Sequence, residues 1–159
     1  MVVYGVSFDV VNKQPIVLLK VEEGNRYLPI WIGHPEAAAI LMKLQDTDLP
    51  RPMTHDLLTN VIENLAARLD KVLVTELREN TFYASLHLTA AGREESIEVD
   101  SRPSDAIALA VRTDAPIFAA LDLLEANGIE FDPESEDVED LVQEFREFLE
   151  DISPEDFSS

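Results

Sequence analysis

The chain repeats its own residue pattern at a distance of 68 positions, and this repeat is the feature that most limits its fold. Shifting residues 1–44 by 68 positions aligns turn residues with turn residues and helix starts with helix starts, without a gap. The identical pairs are Val6 and Val74, Asn12 and Asn80, Leu18 and Leu86, Gly24 and Gly92, Pro35 and Pro103, Ala38 and Ala106, and Leu41 and Leu109. The offset falls to 64 for Pro52 and Pro116, so the first copy holds about four extra residues within 45–51. We interpret the repeat as an internal duplication of one supersecondary unit, with independently arising turn chemistry as the alternative.

Each copy alternates stretches of β-branched and aromatic residues with turns, and then changes to helical spacing. The predicted strands cover 2–11, 16–21, 27–32, 71–77, 81–89 and 96–99. The predicted helices cover 36–44, 54–69, 102–112 and about 117–125. Two of these helices begin at Pro35 and Pro103, and proline is well tolerated in the first turn of a helix. We therefore expect an α+β fold made of two β-β-β-α-α units, with a mostly antiparallel sheet.

The second predicted helix has the clearest amphipathic pattern in this region. Thr54 is its expected N-cap, because a threonine hydroxyl can accept a bond from a free N–H group of the first turn. Its apolar positions are Leu57, Leu58, Val61, Ile62, Leu65 and Leu69. This spacing predicts one buried face, with Asp56, Asn60, Glu63 and Asn64 on the outside.

Acidic residues are concentrated near the C-terminus. The formal charge is −20, and residues 116–159 carry 15 acidic residues against Arg146 alone. The two copies, at about 1–68 and 69–131, form the expected motif-bearing domain. Residues 132–159 follow it as a C-terminal segment without these motifs. Its apolar stripe consists of Val138, Leu141, Val142, Phe145, Phe148, Leu149 and Ile152. We predict an acidic amphipathic helix that packs on its own domain or is offered to another subunit.

Several classes of protein are excluded or disfavoured by composition. The chain has no cysteine, so disulfides, thiolate metal sites and a cysteine nucleophile are excluded. It shows no secretory signal pattern and no apolar run near the roughly 20 residues that span a bilayer. We therefore expect a cytoplasmic protein that does not associate with a membrane. The negative charge repels phosphate backbones at long range and disfavours nucleic acid as a partner unless a local basic patch exists.

Two polar clusters precede predicted helices and are the main candidates for chemistry. The first is Arg51-Pro-Met-Thr-His-Asp56, and the second is Asp100-Ser-Arg-Pro-Ser-Asp105. Each places an arginine, a hydroxyl and a carboxylate where free backbone N–H groups and the helix dipole favour an anion. His55 adds a group that exchanges protons near neutral pH. The alternative is structural, since Thr54, Ser104, Asp56 and Asp105 are also the residue types that cap helices.

The same residues resemble a known family. The segments Arg51–Leu58, Thr81–Ala84, Arg102–Arg112 and Leu28–Gly33, the last followed by Glu36, resemble the bifunctional nuclease domain family over roughly residues 1–127. The resemblance implies a duplicated α+β fold, homo-oligomers (a dimer or a trimer) and cleavage of both DNA and RNA. The polar positions that match the family pattern are Glu36, Arg51, Thr54, His55, Asp56, Arg102, Ser104 and Asp105.

From these residues we predict a nuclease that hydrolyses phosphodiester bonds. His55, Asp56 and Asp105 are its predicted catalytic residues, and Arg51, Thr54, Arg102 and Ser104 its predicted substrate-binding residues. Glu36, Asp56 and Asp105 are the hypothetical ligands of Mg²⁺ or Mn²⁺. The alternatives are a non-catalytic, oligomeric interaction or regulatory domain, and a sensor of a small anion.

Overall fold

The computed structural model describes residues 1–9, 13–47, 49–93 and 95–130. The strands in this part of the chain are β1 (Val2–Asp9), β2 (Gln14–Lys20), β3 (Arg26–Trp31), β4 (Ala67–Arg78), β5 (Thr81–Ala90), β6 (Ile97–Ser101), β7 (Ile117–Ala119) and β8 (Ile129–Glu130). The helices are α1 (His34–Leu44), α2 (Thr54–Asn64), α3 (Pro103–Thr113) and α4 (Leu121–Asn127). The expected α+β class is confirmed. The predicted C-terminal helix over 132–159 lies outside the described residues.

The first three strands of each copy form most of a four-stranded sheet. The strand orders are β1-β2-β3-β8 and β6-β5-β4-β7, so the last strand of the described chain, β8, joins the sheet of the first copy. All neighbouring strands run antiparallel except β4 and β7, which are parallel. The amino group of Met1 donates a 2.7 Å hydrogen bond to the carbonyl of Ile117, which links the start of one sheet to the edge of the other.

One apolar core joins the two sheets and the helices α1 and α3. Leu19 and Leu28 come from the first sheet, Val72 and Val74 from the second, and all four are fully buried or nearly so. In α3, the run from Ala106 to Ala110 is buried on every side, because alanine side chains let α1 and both neighbouring strands approach the helix closely. Because α3 is packed on all sides, it is a rigid support for the side chains of its first turn.

Two helical expectations require correction. Residues 117–125 do not form one helix, since Ile117–Ala119 is strand β7 and the helix begins at Leu121. The open edge of β4 explains this, because Val72 pairs with Ile117 and its N–H group donates to the carbonyl of Pro116 at 2.9 Å. The predicted helix 54–69 ends at Asn64, and Leu69 lies in β4, where it is buried.

The apolar face of α2 is mostly uncovered, contrary to the expectation that it is buried. No residue of α2 is buried, and only Ile62 packs against the core. The exposed apolar residues of this helix are Leu57, Leu58 and Val61, and they are followed by Leu65 just beyond its end. The reason is that α2 packs on α3 and β4 at the outside of the domain, where nothing in the described chain covers its far side.

Thr54 is not the N-cap of α2. The cap residue is Met53, which has no side-chain cap bond, and Thr54 is the first helical residue. The Asp56 carboxylate accepts a 2.8 Å hydrogen bond from the Met53 N–H group instead.

In the described part of the chain, no helix has the length and apolar character needed to cross a bilayer.

Candidate active site

The starts of α2 and α3 meet through one histidine and one aspartate. His55 is the second residue of α2 and Asp105 the third of α3, and His55 Nε2 lies 2.9 Å from Asp105 Oδ1. The His55 side chain is 13% exposed, so most of its ring is shielded from water. A carboxylate oxygen only accepts, so Nε2 carries a proton in this pair, and in the neutral imidazole Nδ1 is then the accepting nitrogen.

Arg102 extends this pair to the start of α1. Its Nε donates to Asp105 Oδ2 at 2.7 Å, and its Nη1 lies 3.1 Å from Glu36 Oε1. The hydrogen bond and charge of Asp105 raise the pKa of Arg102, and the nearby Glu36 adds to this effect. The Arg102 side chain is nevertheless 65% exposed, so the guanidinium is oriented by protein carboxylates and still open to a ligand.

Asp105 is held as an anion between these two partners. Burial on its own would raise the pKa of Asp105, but the hydrogen bonds and charges of Arg102 and His55 outweigh burial and lower it. The carboxylate therefore stays ionised at neutral pH. An ionised carboxylate fixed against a histidine is the arrangement that orients an imidazole as a general base.

Asp56 makes a separate connection to Arg112 at the far end of α3. Arg112 Nε donates to Asp56 Oδ1 at 2.6 Å, while its Nη1 and Nη2 donate to the carbonyls of Ala108 and Ala39. Burial alone would raise the pKa of Asp56, but the bonds from Arg112 and from the Met53 N–H group lower it overall. Arg112 thus ties α1, α2 and α3 together and holds the helix that carries His55.

A cleft of about 310 Å³ opens beside this network. Glu36, Arg102 and Ser104 line one part of it, and the aromatic residues Trp31 and Phe82 line another. Ser104 is buried in the first turn of α3 and reaches the cleft. The network therefore borders a space of the size that small ligands occupy in proteins, roughly 300–1,000 Å³.

The predicted site residues fall into two groups, apart from Asp56, which pairs with Arg112. His55, Asp105, Arg102, Glu36 and Ser104 come together around the starts of α1, α2 and α3. Arg51 and Thr54 are exposed near the start of α2 and form no ion pair or hydrogen bond with a described residue, so their predicted substrate-binding role stays a prediction.

The predicted metal ligands each face a cation instead of one another. Glu36 and Asp105 hold Arg102, and Asp56 holds Arg112. Among the described residues, no three His, Asp or Glu side chains are grouped as a metal site. In this arrangement each carboxylate is paired with a guanidinium group, which competes with a divalent ion for the carboxylate oxygens.

Arg112 was not singled out as a functional residue from the sequence. The sequence marks Arg112 as a functional candidate only by its position at the end of the family-like segment Arg102–Arg112. A basic residue in the last turn of a helix is ordinarily explained by the helix dipole. The contact with Asp56 spans 56 positions and depends on how α2 crosses α3.

Fold and site together define a two-sheet α+β domain with a histidine–aspartate pair and an oriented guanidinium at converging helix starts. The sequence profile described as "Bifunctional nuclease domain" matches residues 17–132, and the chain belongs to this family. It is 40% identical to an uncharacterized protein of Mycobacterium tuberculosis over 163 aligned positions, which cover 99% of this chain and 96% of that protein.

Plant relatives are more distant and longer. The chain is 30% identical to bifunctional nuclease 1 of Oryza sativa subsp. japonica over 115 residues, covering 71% of this chain and 35% of that protein. It is 29% identical to bifunctional nuclease 1 of Arabidopsis thaliana, covering 65% of this chain and 32% of that protein. The chain therefore spans about a third of these plant proteins.

Proposed function

We propose that this chain hydrolyses phosphodiester bonds in DNA and RNA, with His55 as its general base and Asp105 as the residue that positions His55. The observation that carries the proposal is the 2.9 Å contact between the two side chains at converging helix starts. The names of the plant relatives as bifunctional nucleases support it, although the chain matches only part of their length. The cytoplasm is the location that we propose for the protein.

In the proposed reaction, His55 Nδ1 takes a proton from a water molecule while the water oxygen forms a bond to phosphorus. The bond between phosphorus and the leaving oxygen breaks, and that oxygen is protonated from solvent. Arg102, held by Asp105 and Glu36, compensates the negative charge that accumulates on the phosphate oxygens. Asp105 is a positioning residue that keeps Nε2 protonated and Nδ1 available.

A dependence on Mg²⁺ or Mn²⁺ remains a separate hypothesis. The carboxylates around the site are engaged by arginines, so we assign no step to a metal ion. Whether a divalent ion contributes is decided by comparing cleavage in chelator with cleavage after each metal is added back.

The decisive experiment measures cleavage of labelled DNA and RNA by purified protein with chelator, Mg²⁺ or Mn²⁺. Wild type is compared with His55→Asn and with Arg68→Gln, whose guanidinium pairs with Asp70 away from the site. The proposal requires activity in wild type and Arg68→Gln and its loss in His55→Asn. Equal activity in all three proteins would point to a contaminant or another site and would overturn the proposal.

A second candidate function is a non-catalytic, homo-oligomeric interaction domain. The observation that favours it is the exposed apolar stripe of α2, where Leu57 is 55% exposed and Leu65 just beyond the helix is 72% exposed. Such a continuous stripe is typical of a contact surface, and a second copy in antiparallel orientation would place leucines against leucines. A dimer or trimer in sedimentation measurements, together with no cleavage of DNA or RNA, supports this candidate, and a monomer at all concentrations contradicts it.

A further inference from the structure

Ser104 presents its hydroxyl to the cleft beside the His55–Asp105 pair. The residue is only 6% exposed, yet it lines the cleft, and its hydroxyl has no hydrogen-bond partner among the described residues. The hydroxyl is therefore available to bond to a ligand that displaces water from the cleft.

Two further donors lie next to this hydroxyl at the start of α3. Pro103 is the first residue of the helix, and the first N–H bond within the helix is the one from Ala106 to the Arg102 carbonyl. The N–H groups of Ser104 and Asp105 therefore have no acceptor inside the helix. Together with the exposed Arg102, they form a group of donors of the kind that binds a phosphate.

The opposite part of the cleft supplies flat apolar walls. Trp31 and Phe82 line it, together with the polar residues Asn80 and Thr81. An aromatic wall in the same cleft as phosphate donors fits a ligand with a base at one end and a phosphate at the other. The volume of about 310 Å³ is at the small end of ligand sites and suits one such unit.

We propose that this cleft binds one unstacked nucleotide of a single strand. Its phosphate lies on Ser104, the α3 start and Arg102, and its base lies against Trp31 and Phe82. The inference rests on the proposed nuclease function and specifies its substrate. A base enters the cleft only when it leaves the stack of its own strand, so single strands bind more tightly than duplexes. Arg102 is shared between Glu36 and Asp105, so binding of the phosphate depends on the donors at the α3 start as well as on the Arg102 charge.

Tryptophan fluorescence tests this proposal directly, because Trp31 is the single tryptophan of the chain. The probes are adenosine 5′-monophosphate, adenosine, a short single-stranded oligonucleotide and the corresponding duplex, all at one ionic strength in chelator. We expect a saturable signal with the monophosphate and the single strand, with at least 10-fold weaker binding of adenosine and duplex. Ser104→Ala is expected to weaken binding of the monophosphate about 5- to 10-fold and Arg102→Gln by 10-fold or more, while Arg68→Gln matches wild type.

The outcomes separate the cleft from the catalytic proposal. Saturable binding that weakens in Ser104→Ala supports the nucleotide site even when wild type cleaves nothing, in which case the proposed catalysis alone fails. Binding that is equal for adenosine and its monophosphate, or unchanged in both variants, overturns the nucleotide site. Duplex binding as tight as single-strand binding also overturns it. Cleavage that depends on His55 without any fluorescence response leaves the nuclease proposal intact and removes the cleft.

Discussion

His55 and Asp105 are 50 positions apart in the chain, and their side chains meet at 2.9 Å between Nε2 and Oδ1. Each lies in the first turn of its helix, so the contact joins two helix starts as well as two side chains. The second oxygen of Asp105 holds Arg102. One carboxylate therefore fixes both the proposed base and the proposed phosphate ligand.

Replacing Asp105 by asparagine is expected to reduce kcat for RNA cleavage by roughly 10²- to 10⁴-fold, because an amide neither fixes the same tautomer nor balances the charge of His55. Asp105→Glu, which keeps the charge, is expected to recover part of the activity. The double variant with His55→Asn should be no worse than His55→Asn alone, since the two residues act as one unit. Single-turnover kinetics measure these rates, and independent, multiplying losses would contradict the pairing.

The sequence predicts contacts within one cluster, and it leaves open whether the two clusters meet. Arg102 and Asp105 sit three positions apart at a helix start marked by Pro103, and such spacing predicts their contact. The 68-residue repeat also places the starts of α1 and α3 in equivalent positions. Which partners each group takes depends on helix crossing, so the capture of Glu36 by Arg102 was not predictable.

The errors have physical causes that a single sequence does not contain. Periodicity identified the apolar face of α2 but not whether another element covers it, and Leu58 and Val61 are exposed. The residues at 117–119 have strand character only because the β4 edge is available to them. These two errors concern tertiary partners and the Thr54 cap is a local error, whereas the local patterns around Pro35 and Pro103 predict helices that the structure contains.

Acid is expected to weaken the fold through Asp56 and Asp105. Both pKa values are lowered in the folded chain, so the stabilisation is fully present above the unfolded value of about 3.9 and is lost as pH falls through the folded values. Asp56→Asn is expected to flatten the dependence of unfolding free energy on pH below about pH 4. Urea titrations from about pH 2.5 to about pH 6, a range on both sides of the unfolded value, measure the slope of unfolding free energy against pH.

Asp122→Asn is the matched control for this series. Asp122 is an exposed acid on α4 that forms no ion pair within the described ranges. Its variant should keep the slope of wild type. A slope that is unchanged in Asp56→Asn and Asp105→Asn alike would show that neither carboxylate is stabilised by folding.

Arg112→Met is expected to destabilise the domain by about 2–4 kcal/mol, because it removes the guanidinium bonds to two helix carbonyls and to Asp56 Oδ1. The Arg112 side chain is only 5% exposed, which limits replacement of these bonds by water. Asp56 is 33% exposed, so solvent screens its ion pair with Arg112. The expected loss of stability therefore lies toward the lower end of the range. Arg68→Met, at a side chain 78% exposed, should leave the urea midpoint unchanged, and equal losses in both variants would contradict a special role of Arg112.

Gly33→Ala tests how Glu36 is positioned. A methyl group at Gly33 would overlap the Glu36 carboxylate, which is the end of a flexible side chain and can rotate away. We expect a folded protein in which Arg102 has lost one of its two carboxylates, and a change in nucleotide affinity equal to that of Glu36→Gln. The double variant should resemble either single variant in fluorescence titrations, because both changes remove the same contact. Additive changes would show that Gly33 acts by another route.

Leu65→Glu tests whether the apolar stripe of α2 is a contact between copies of the chain. Leu65 is the most exposed apolar residue of this face, so a charge there costs the monomer little and is unfavourable only inside an interface. We expect the variant to shift sedimentation toward the monomer, while Leu121→Glu, at a leucine 76% exposed on α4, leaves the wild-type distribution unchanged. Because the stripe and the acid–base pair share α2, loss of cleavage together with dissociation would show that the oligomer holds the active site in place. Dissociation by Leu121→Glu and not by Leu65→Glu would assign the interface to α4 instead.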